Sequence, residues 1–156
     1  MSDIETLRRI LATTRTIAVV GLSADWFRPS YFAARYMQEH GYRIIPVNPK
    51  YPQILGQRCY PSLVDIGEKV DMVDVFRRTE DVLPIARQAV EIGARTLWQQ
   101  LGVANAEAES LAREAGLDSV ADRCVKIEHA RLFGGLGWVG VNTGIVSAKR
   151  PRQLPY

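Results

Sequence analysis

Short apolar runs alternate along this chain with segments that repeat apolar residues at helical spacing. The apolar runs predict strands at 16–20, 42–47, 71–76, 96–99 and 119–123. The segments between them predict helices at 3–13, 31–40, 80–92, 105–115 and 126–132, with a short helical turn at 62–66. The strands lack an alternation of apolar and polar residues, which is typical of a parallel sheet covered on both faces. The pattern therefore predicts an α/β protein, with a three-layer Rossmann-like fold, a mostly parallel sheet and a single domain.

The length of 156 residues suits one domain. We expect a core over about residues 14–132, preceded by the helix at 3–13 and followed by a glycine-rich, then basic tail at 133–156. No apolar run approaches the roughly 20 residues that a membrane helix needs. The N-terminus also lacks the continuous apolar stretch of a secretory signal. These features predict a cytoplasmic protein with no membrane partner.

Charge and cysteine content narrow the classes of partner. The net charge is +3, and much of the excess lies at Lys149, Arg150 and Arg152. A basic tail of this kind is more often a solvated terminus than a nucleic-acid surface, so we do not expect a nucleic-acid partner. A mild positive excess also suits a polyanionic small molecule. Cys59 and Cys124 stand far apart with only two histidines in the chain, so we predict no metal site.

The loop after the first strand carries residues that suit a phosphate. Gly21 permits close backbone approach, Ser23 offers a hydroxyl group, and Arg28 adds positive charge. Ser30 is expected to cap the following helix, whose first N–H groups lack partners within the helix. The loop is not the GxGxxG of a dinucleotide site, because Ser23 and Trp26 stand at the next two glycine positions. The geometry of the turn alone would also explain a single glycine.

The second strand ends without the acidic residue that holds the ribose diol in an NAD site. Asn48, Pro49 and Lys50 stand there instead. A lysine at this position favours a phosphate, and coenzyme A carries both a pyrophosphate and a ribose 3′-phosphate. Two separate cationic spots would therefore suit coenzyme A. The alternative for Lys50 is a solvated surface lysine, and the sequence leaves both open.

The ends of the third and fourth strands extend the candidate site. Phe76 is suited to lie against an adenine ring or a pantetheine arm, and Arg77 to reach a phosphate. After the fourth strand, polar ligand atoms would meet amide groups at Gln99 and Gln100, beside Trp98. Core packing is the alternative for the two aromatic residues, and solvation is the alternative for the arginine.

Four segments carry a family resemblance: GLSADWFRPSYFAARYMQEHGYRIIPVNP, YPSL, VDVFRR and DRCVKIEHARL. They resemble the small stand-alone CoA-binding proteins, which are similar to the N-terminal CoA-binding domain of the succinyl-CoA synthetase alpha subunit. The resemblance covers about residues 16–132. It implies that the CoA phosphates lie on the loop of Gly21, Leu22, Ser23 and Ala24, although the synthetase loop ends in glycine where this chain has Ala24. It implies CoA contacts at Lys50, Trp98, Gln99 and Gln100, and pocket positions for Arg28, Asn48, Pro49 and Phe76.

The resemblance transfers binding rather than ligase chemistry, because the synthetase's phosphorylated histidine lies in a further domain. We therefore expect a non-catalytic protein that binds coenzyme A or an acyl-CoA. One alternative is a CoA-dependent enzyme that uses Cys124 or His129, and another is a nucleotide-binding interaction domain. Cys124, Glu128 and His129 are close in sequence, but on one helix His129 would turn away from Cys124. A protein partner or a homo-oligomer stays open.

Overall fold

The structure, a computed structural model, describes residues 3–134. In chain order its helices and strands are α1 (Ile4–Thr13), β1 (Thr16–Val20), α2 (Pro29–Glu39), β2 (Arg43–Val47), β3 (Gln53–Ile54), β4 (Gln57–Arg58), β5 (Met72–Val75), α3 (Val82–Glu91), β6 (Thr96–Gln99), α4 (Ala106–Glu114), β7 (Asp118–Val120) and α5 (Val125–Phe133). Five strands form a parallel sheet in the order β2-β1-β5-β6-β7. This architecture confirms the predicted Rossmann-like α/β fold.

Helices cover both faces of the sheet and create two apolar cores. Helices α1, α2 and α5 pack on one face, around buried residues such as Leu11, Met37 and Trp98. Helices α3 and α4 pack on the other face, where Leu97 and Val73 are buried. Because successive side chains of a strand point to opposite faces, β1, β2, β5 and β6 each supply both cores.

Side-chain caps set the starts of two described helices, α1 and α4. Asp3 accepts a hydrogen bond from the Thr6 N–H at 2.8 Å and caps α1, whereas Ser2 of the predicted capping box lies outside the described residues. The prediction that Ser30 caps the second helix is wrong, because α2 begins at Pro29. Proline suits the first helical position, since its fixed φ is already helical and no N–H partner is needed there.

A short antiparallel hairpin, β3 with β4, was absent from the predicted elements. Each strand has only two residues, and three of the four are polar, so no apolar run marks it. The turn between them places Leu55 and Gly56 at φ angles of 55° and 75°. Consecutive left-handed residues fit the sharp two-residue turns of hairpins.

The last predicted strand is shorter than expected and ends at Val120 rather than residue 123. Asp122 adopts a left-handed φ of 58°, and its carboxylate accepts a hydrogen bond from the Gly102 N–H at 2.7 Å. The predicted tail also begins too early, because Phe133 still belongs to α5; residues 135–156 lie outside the described part. Among the described helices, none has the length and apolar character to cross a membrane.

Candidate functional site

A cavity of about 690 Å³ lies at the carboxyl ends of the parallel strands. The chain runs outward from β1 to β2 and then crosses back to β5 on the other side of β1. The loops after β1 and β5 therefore diverge at this edge, where ligands of open α/β sheets bind. The lining residues are Gly21, Pro29, Asn48, Pro49, Lys50, Phe76, Arg77, Arg78, Asp81, Gln100, Leu101, Val103, Cys124 and Ile127.

Gly21 brings the loops after β1 and β5 together. Its φ is +89°, and a Cβ built on it would lie 2.5 Å from the backbone oxygen of Phe76. Its N–H also donates to the Val47 carbonyl at 2.9 Å, which joins it to the end of β2. A side chain at this position would push two strand-end loops apart. The sequence left open whether Gly21 serves a turn or a ligand. The structure shows that close packing at the floor of the cavity requires glycine here.

Asn48 holds the loops after β1 and β2 in place. Its Nδ2 donates to the Leu22 carbonyl at 3.0 Å, and its Oδ1 accepts from the Lys50 N–H at 2.9 Å. The Asn48 side chain therefore satisfies backbone groups of both loops, as asparagine often does in turns. This leaves the exposed Lys50 side chain on a fixed backbone at the rim of the cavity.

Positive charge prevails at the β2 and β5 side of the cavity. Three cations line it, Lys50, Arg77 and Arg78, against one carboxylate, Asp81, which leaves a net charge of +2. Asp81 accepts from Arg78 at 3.1 Å and from Arg77 at 3.5 Å. The hydrogen bond from Arg78 lowers the pKa of Asp81. Lys50 makes no ion pair with any residue of the described part, so its charge is available to an anion.

An adjoining cavity of about 340 Å³ extends this region across the strand ends. It shares Gly21, Asn48, Pro49, Arg77 and Asp81 with the larger cavity. The shared residues make the two cavities one groove over the carboxyl edge of the sheet. Such a groove suits a long ligand better than a compact one.

The opposite wall of the cavity, toward β6 and α5, is mainly apolar. Leu101 and Ile127 line it although 65% and 50% of their surfaces are exposed. Phe76 and Val103 complete the wall. Exposed large apolar side chains that face a concave site are typical of small-molecule pockets. The sequence analysis missed Leu101, Val103 and Ile127, whose only sequence signal was an apolar residue just after a strand or on a helix.

Gln100 connects β6 to the start of α5. The side chain is 4% exposed, and its Oε1 accepts from the Val125 N–H at 3.1 Å. This bond satisfies one of the N–H groups that lack a partner within the helix, and it fixes the first turn of α5 beside the cavity. Cys124 and Ile127 reach the cavity wall because of this placement. The Gln100 Nε2 donates no hydrogen bond within residues 3–134.

The cavity brings together half of the residues predicted for the site: Gly21, Asn48, Pro49, Lys50, Phe76, Arg77 and Gln100. The other half does not line it. Leu22 is fully buried, while Ala24 and Arg28 are exposed on the loop after β1. The Ser30 Oγ accepts from the Ser23 N–H at 3.0 Å, which orders that loop internally. Ligand contacts for these five residues stay predictions.

Trp98 and Gln99 also lie away from the cavity. Trp98 has no exposed surface, and its indole N–H donates to the Arg123 carbonyl at 2.8 Å. The Gln99 Oε1 accepts from the Asn105 N–H at 2.7 Å, at the cap of α4. Both side chains are thus engaged in packing between elements, and of the predicted segment 98–100 only Gln100 lines the cavity.

The residues weighed for catalysis occupy three different surroundings. Cys124 lines the cavity. Glu128 is buried and forms ion pairs with Arg123 at 3.5 Å and Arg131 at 3.1 Å. The His129 Nδ1 lies 2.9 Å from the Tyr36 hydroxyl, in a buried aromatic cluster. Burial lowers the pKa of His129 to about 4. The side chains of Glu128 and His129 are therefore committed to partners other than Cys124.

Among the residues that the structure describes, no group of three His, Cys, Asp or Glu side chains is arranged to hold a metal ion. The two cysteines of the chain are both free: Cys59 is buried and Cys124 is partly exposed. The chemistry available at the cavity is thus anion binding at one wall, apolar contact at the other, and one thiol.

Similar proteins identify the family of this chain. A sequence alignment with YneT of Bacillus subtilis shows 40% identity over 124 residues, which is 80% of this chain and 92% of YneT. A solved structure, a hypothetical protein from Pyrococcus horikoshii OT3, superposes with a TM-score of 0.83 at 42% identity, over 85% of this chain and 94% of that one.

A larger relative is an ADP-forming acetate–CoA ligase II of Archaeoglobus fulgidus, 36% identical over 89 residues. The match covers 56% of this chain but 13% of the ligase, so this chain corresponds to a small part of that enzyme. The family model described as "CoA binding domain" matches residues 15–130. This confirms the resemblance carried by the four sequence segments: the chain belongs to the CoA binding domain family.

Proposed function

We propose that this protein binds coenzyme A or an acyl-CoA in the cavity at the carboxyl edge of the sheet, as a binding protein rather than an enzyme. One observation carries the proposal: the cavity has a cationic wall and an apolar wall at the switch point of a family member's sheet. Coenzyme A has the matching polarity, with phosphates at one end and a pantetheine arm at the other.

The cationic wall accounts for the phosphates. Lys50 is available for a direct charge-assisted contact, worth about 1.5–3 kcal/mol per hydrogen bond. Arg77 and Arg78 share the carboxylate of Asp81, and Arg78 also lies 3.7 Å from Glu80, so a phosphate at this wall would be matched chiefly by the unpaired charge of Lys50. NAD also carries a pyrophosphate, but its ribose diol usually binds an acidic residue after β2, and the chain has Asn48-Pro49-Lys50 there.

The apolar wall accounts for the pantetheine arm. Leu101, Val103 and Ile127 offer a largely hydrophobic surface, and Phe76 stands between this wall and the arginines. Burial of apolar surface contributes roughly 25 cal/mol per Å², so even partial cover of Leu101 and Ile127 favours binding. A ligand that is polyanionic throughout would gain nothing from this wall.

A binding role without catalysis is consistent with the side chains at the cavity. A general base must lie within about 3 Å of the proton it removes. The candidate base, His129, is hydrogen-bonded to Tyr36 and buried in the aromatic cluster. The ligase chemistry named for the larger relative belongs to a protein of which this chain matches only 13%. A cytoplasmic location, a single domain over 1–156, and a protein partner or homo-oligomer stay predictions.

The test is isothermal titration calorimetry of the full chain with reduced coenzyme A, dephospho-CoA and NAD. We expect saturable binding of coenzyme A, weaker binding of dephospho-CoA, and much weaker binding of NAD. Equal or tighter binding of NAD would exclude the proposed ligand. A parallel screen for turnover of acetyl-, succinyl- and longer acyl-CoA thioesters should show no hydrolysis or transfer above the buffer rate. Reproducible turnover by the wild type would replace the binding role with an enzymatic one.

A further inference from the structure

The cavity wall contains a thiol whose surroundings differ from those of the other cysteine. Cys124 is partly exposed and lines the cavity at the start of α5. Cys59 is 8% exposed, packs in the core beside α1 and α2, and burial raises the pKa of its thiol. Thiol chemistry with a molecule in solution requires access and a thiolate, and the burial of Cys59 opposes both.

The polarity of the cavity sets which end of the proposed ligand faces Cys124; this step rests on the proposed function. The cations Lys50 and Arg77 follow β2 and β5, whereas Cys124 and Ile127 begin α5 beyond β6 and β7. With the phosphates of coenzyme A at the cationic wall, its pantetheine arm runs along the apolar wall toward α5. That arm ends in a thiol, so the ligand's reactive sulfur lies on the side of the cavity that holds Cys124.

A second feature points independently to a ligand at this end. Gln100 is 96% buried and lines the cavity, and its Oε1 is fixed by the Val125 N–H at 3.1 Å. Its Nε2 has no hydrogen-bond partner within residues 3–134. This Nε2 is not among the enclosed side-chain atoms of the described residues, so it keeps accessible surface in a side chain that lines the cavity, where an acceptor on a ligand or a water can take its hydrogen bond. The two amide carbonyls of a pantetheine arm are acceptors of the required kind, directly beside Cys124.

We propose that Cys124 forms a mixed disulfide with coenzyme A in this cavity. The co-reactant is the oxidised ligand, CoA disulfide. The Cys124 thiolate attacks one sulfur of CoA disulfide, one S–S bond forms between Cys124 and CoA, and the S–S bond of CoA disulfide breaks. The second CoA leaves as a thiolate and takes up the proton that Cys124 released, so no net oxidation occurs. A free thiol reverses the step by the same exchange.

The experiment treats the reduced full-length protein with CoA disulfide and follows the intact mass. We expect the wild type to gain one CoA moiety less two hydrogens, and peptide mapping of the wild type to place it on Cys124. Dithiothreitol should remove the adduct. The Cys124→Ser variant should gain no adduct, and the matched Cys59→Ser variant should be modified at the wild-type rate. An adduct on Cys59, or no adduct on the wild type, overturns the proposal.

A comparison of disulfides shows whether the cavity directs the reaction. Glutathione disulfide offers the same chemistry without the adenosine phosphates, and we expect it to modify Cys124 at least about tenfold more slowly. The Lys50→Ala variant should slow the reaction with CoA disulfide by about tenfold, the factor for 1.4 kcal/mol of binding energy, and leave the glutathione reaction unchanged. Equal rates for the two disulfides would overturn a reaction directed by the cavity.

Calorimetry with desulfo-CoA, which lacks the thiol, separates this proposal from the function on which it rests. Binding of desulfo-CoA to the wild type together with an absent or misplaced adduct would reject the disulfide and keep the binding role. Failure of both desulfo-CoA and reduced coenzyme A to bind would reject the binding role itself.

Discussion

The two edges of the sheet treat charged residues in opposite ways. At the amino edge, the buried Asp71 carboxylate accepts from the Arg15 and Thr16 N–H groups at 2.9 and 3.1 Å, with Arg95 at 3.8 Å. At the carboxyl edge, Lys50 has no ion-pair partner among the described residues. The Asp71 carboxylate at the amino edge is thus occupied by partners within the protein, whereas the Lys50 charge at the carboxyl edge is available to a ligand, as expected of a binding site.

Further ion pairs extend the contrast. Arg9 donates two hydrogen bonds of 3.0 Å to Asp118 at the start of β7, and Arg43 pairs with Glu68 before β5. In these two pairs each arginine has its own carboxylate. At the carboxyl edge Arg77 and Arg78 share Asp81, and Arg78 also lies 3.7 Å from Glu80. Charged residues are thus common at both edges, and what identifies the site is that Lys50, Arg77 and Arg78 line one cavity.

The largest effect on stability should come from a substitution of Gly21 at the floor of the cavity. In Gly21→Ala the new Cβ would meet the Phe76 carbonyl at 2.5 Å and adopt a left-handed φ. Strain of both kinds should lower the free energy of unfolding by about 3 kcal/mol, measured by urea denaturation. Affinity for coenzyme A should also fall, because the loops after β1 and β5 separate.

Gly116→Ala is the matched control. Gly116 has a φ of +91°, close to the +89° of Gly21, but a Cβ there would meet nothing within 4 Å. Gly116→Ala should lower the free energy of unfolding by only about 1 kcal/mol, which is the conformational part of the effect, and should leave the affinity for coenzyme A unchanged. Equal losses of stability in the two variants would show that the close approach at Gly21 carries no energy.

The fold was predictable because both faces of the sheet are covered, so five apolar runs marked the strands. The polar hairpin of 53–58 was not, since its strands bury little beyond Ile54. Strand ends were harder as well. Trp98 and Gln99 are the last two residues of β6 and are fully buried, whereas Gln100 lies just beyond the strand and lines the cavity. One residue along a strand reverses the face of a side chain, and sequence boundaries carry larger errors than that.

The apolar half of the site was missed for a different reason. Cys124 and Ile127 enter it through the bond between Gln100 and Val125, residues 25 positions apart. No local pattern encodes such a pairing. The cationic half was found because Lys50 and Arg77 directly follow strands, and the carboxyl ends of parallel strands share one edge.

A second prediction tests the amino edge. Asp71→Ala removes the acceptor of two backbone N–H groups near the start of β1 and should lower the free energy of unfolding by about 2–3 kcal/mol. Affinity for coenzyme A should stay within twofold of the wild type when it is measured by calorimetry well below the variant's thermal unfolding midpoint. The exposed pair of Arg9 and Asp118 provides the contrast, because Asp118→Asn should lower the free energy of unfolding by less than about 1 kcal/mol. A large loss of affinity in Asp71→Ala would show that the two edges are not independent.

A third prediction uses pH. His129 lies beside a cavity at the amino edge, lined also by Thr14 and Arg15, and burial lowers its pKa from 6.5 to about 4. Because the unfolded chain binds this proton more readily, stability from His129 is lost as the pH falls from 6.5 toward 4. Between pH 7 and pH 5 the loss should reach about 2 kcal/mol.

The measurement is urea denaturation of the wild type and His129→Gln at both pH values, with the variant losing less on acidification. The comparison is needed because the buried carboxyl of Asp74 has a raised pKa and favours folding at low pH. That contribution is common to both proteins and cancels in the difference. Parallel pH profiles of wild type and variant would mean that His129 titrates alike in the folded and unfolded chains.

The smallest effect on stability, and the most specific effect on binding, should come from Lys50. Its charge is exposed and unpaired among the described residues, so Lys50→Ala should change the free energy of unfolding by less than about 0.5 kcal/mol. The same change should weaken coenzyme A by about 1–3 kcal/mol, the range for a lost charge-assisted hydrogen bond. If the ribose 3′-phosphate is the partner, dephospho-CoA should lose less than coenzyme A.

Lys69→Ala is the matched control, because Lys69 is an exposed lysine on the loop before β5, at the amino edge. It removes the same charge from the protein, so a general change in electrostatic attraction would affect both variants equally. We expect full affinity in Lys69→Ala at 150 mM salt, where the Debye length is about 8 Å and distant charges are screened. Equal losses of affinity in the two variants would mean that Lys50 acts only through the net charge of the protein. Wild-type affinity in Lys50→Ala would mean that Lys50 is a solvated surface lysine. A loss confined to Lys50→Ala would instead mean that the open charge at the carboxyl edge acts on the ligand directly, at short range.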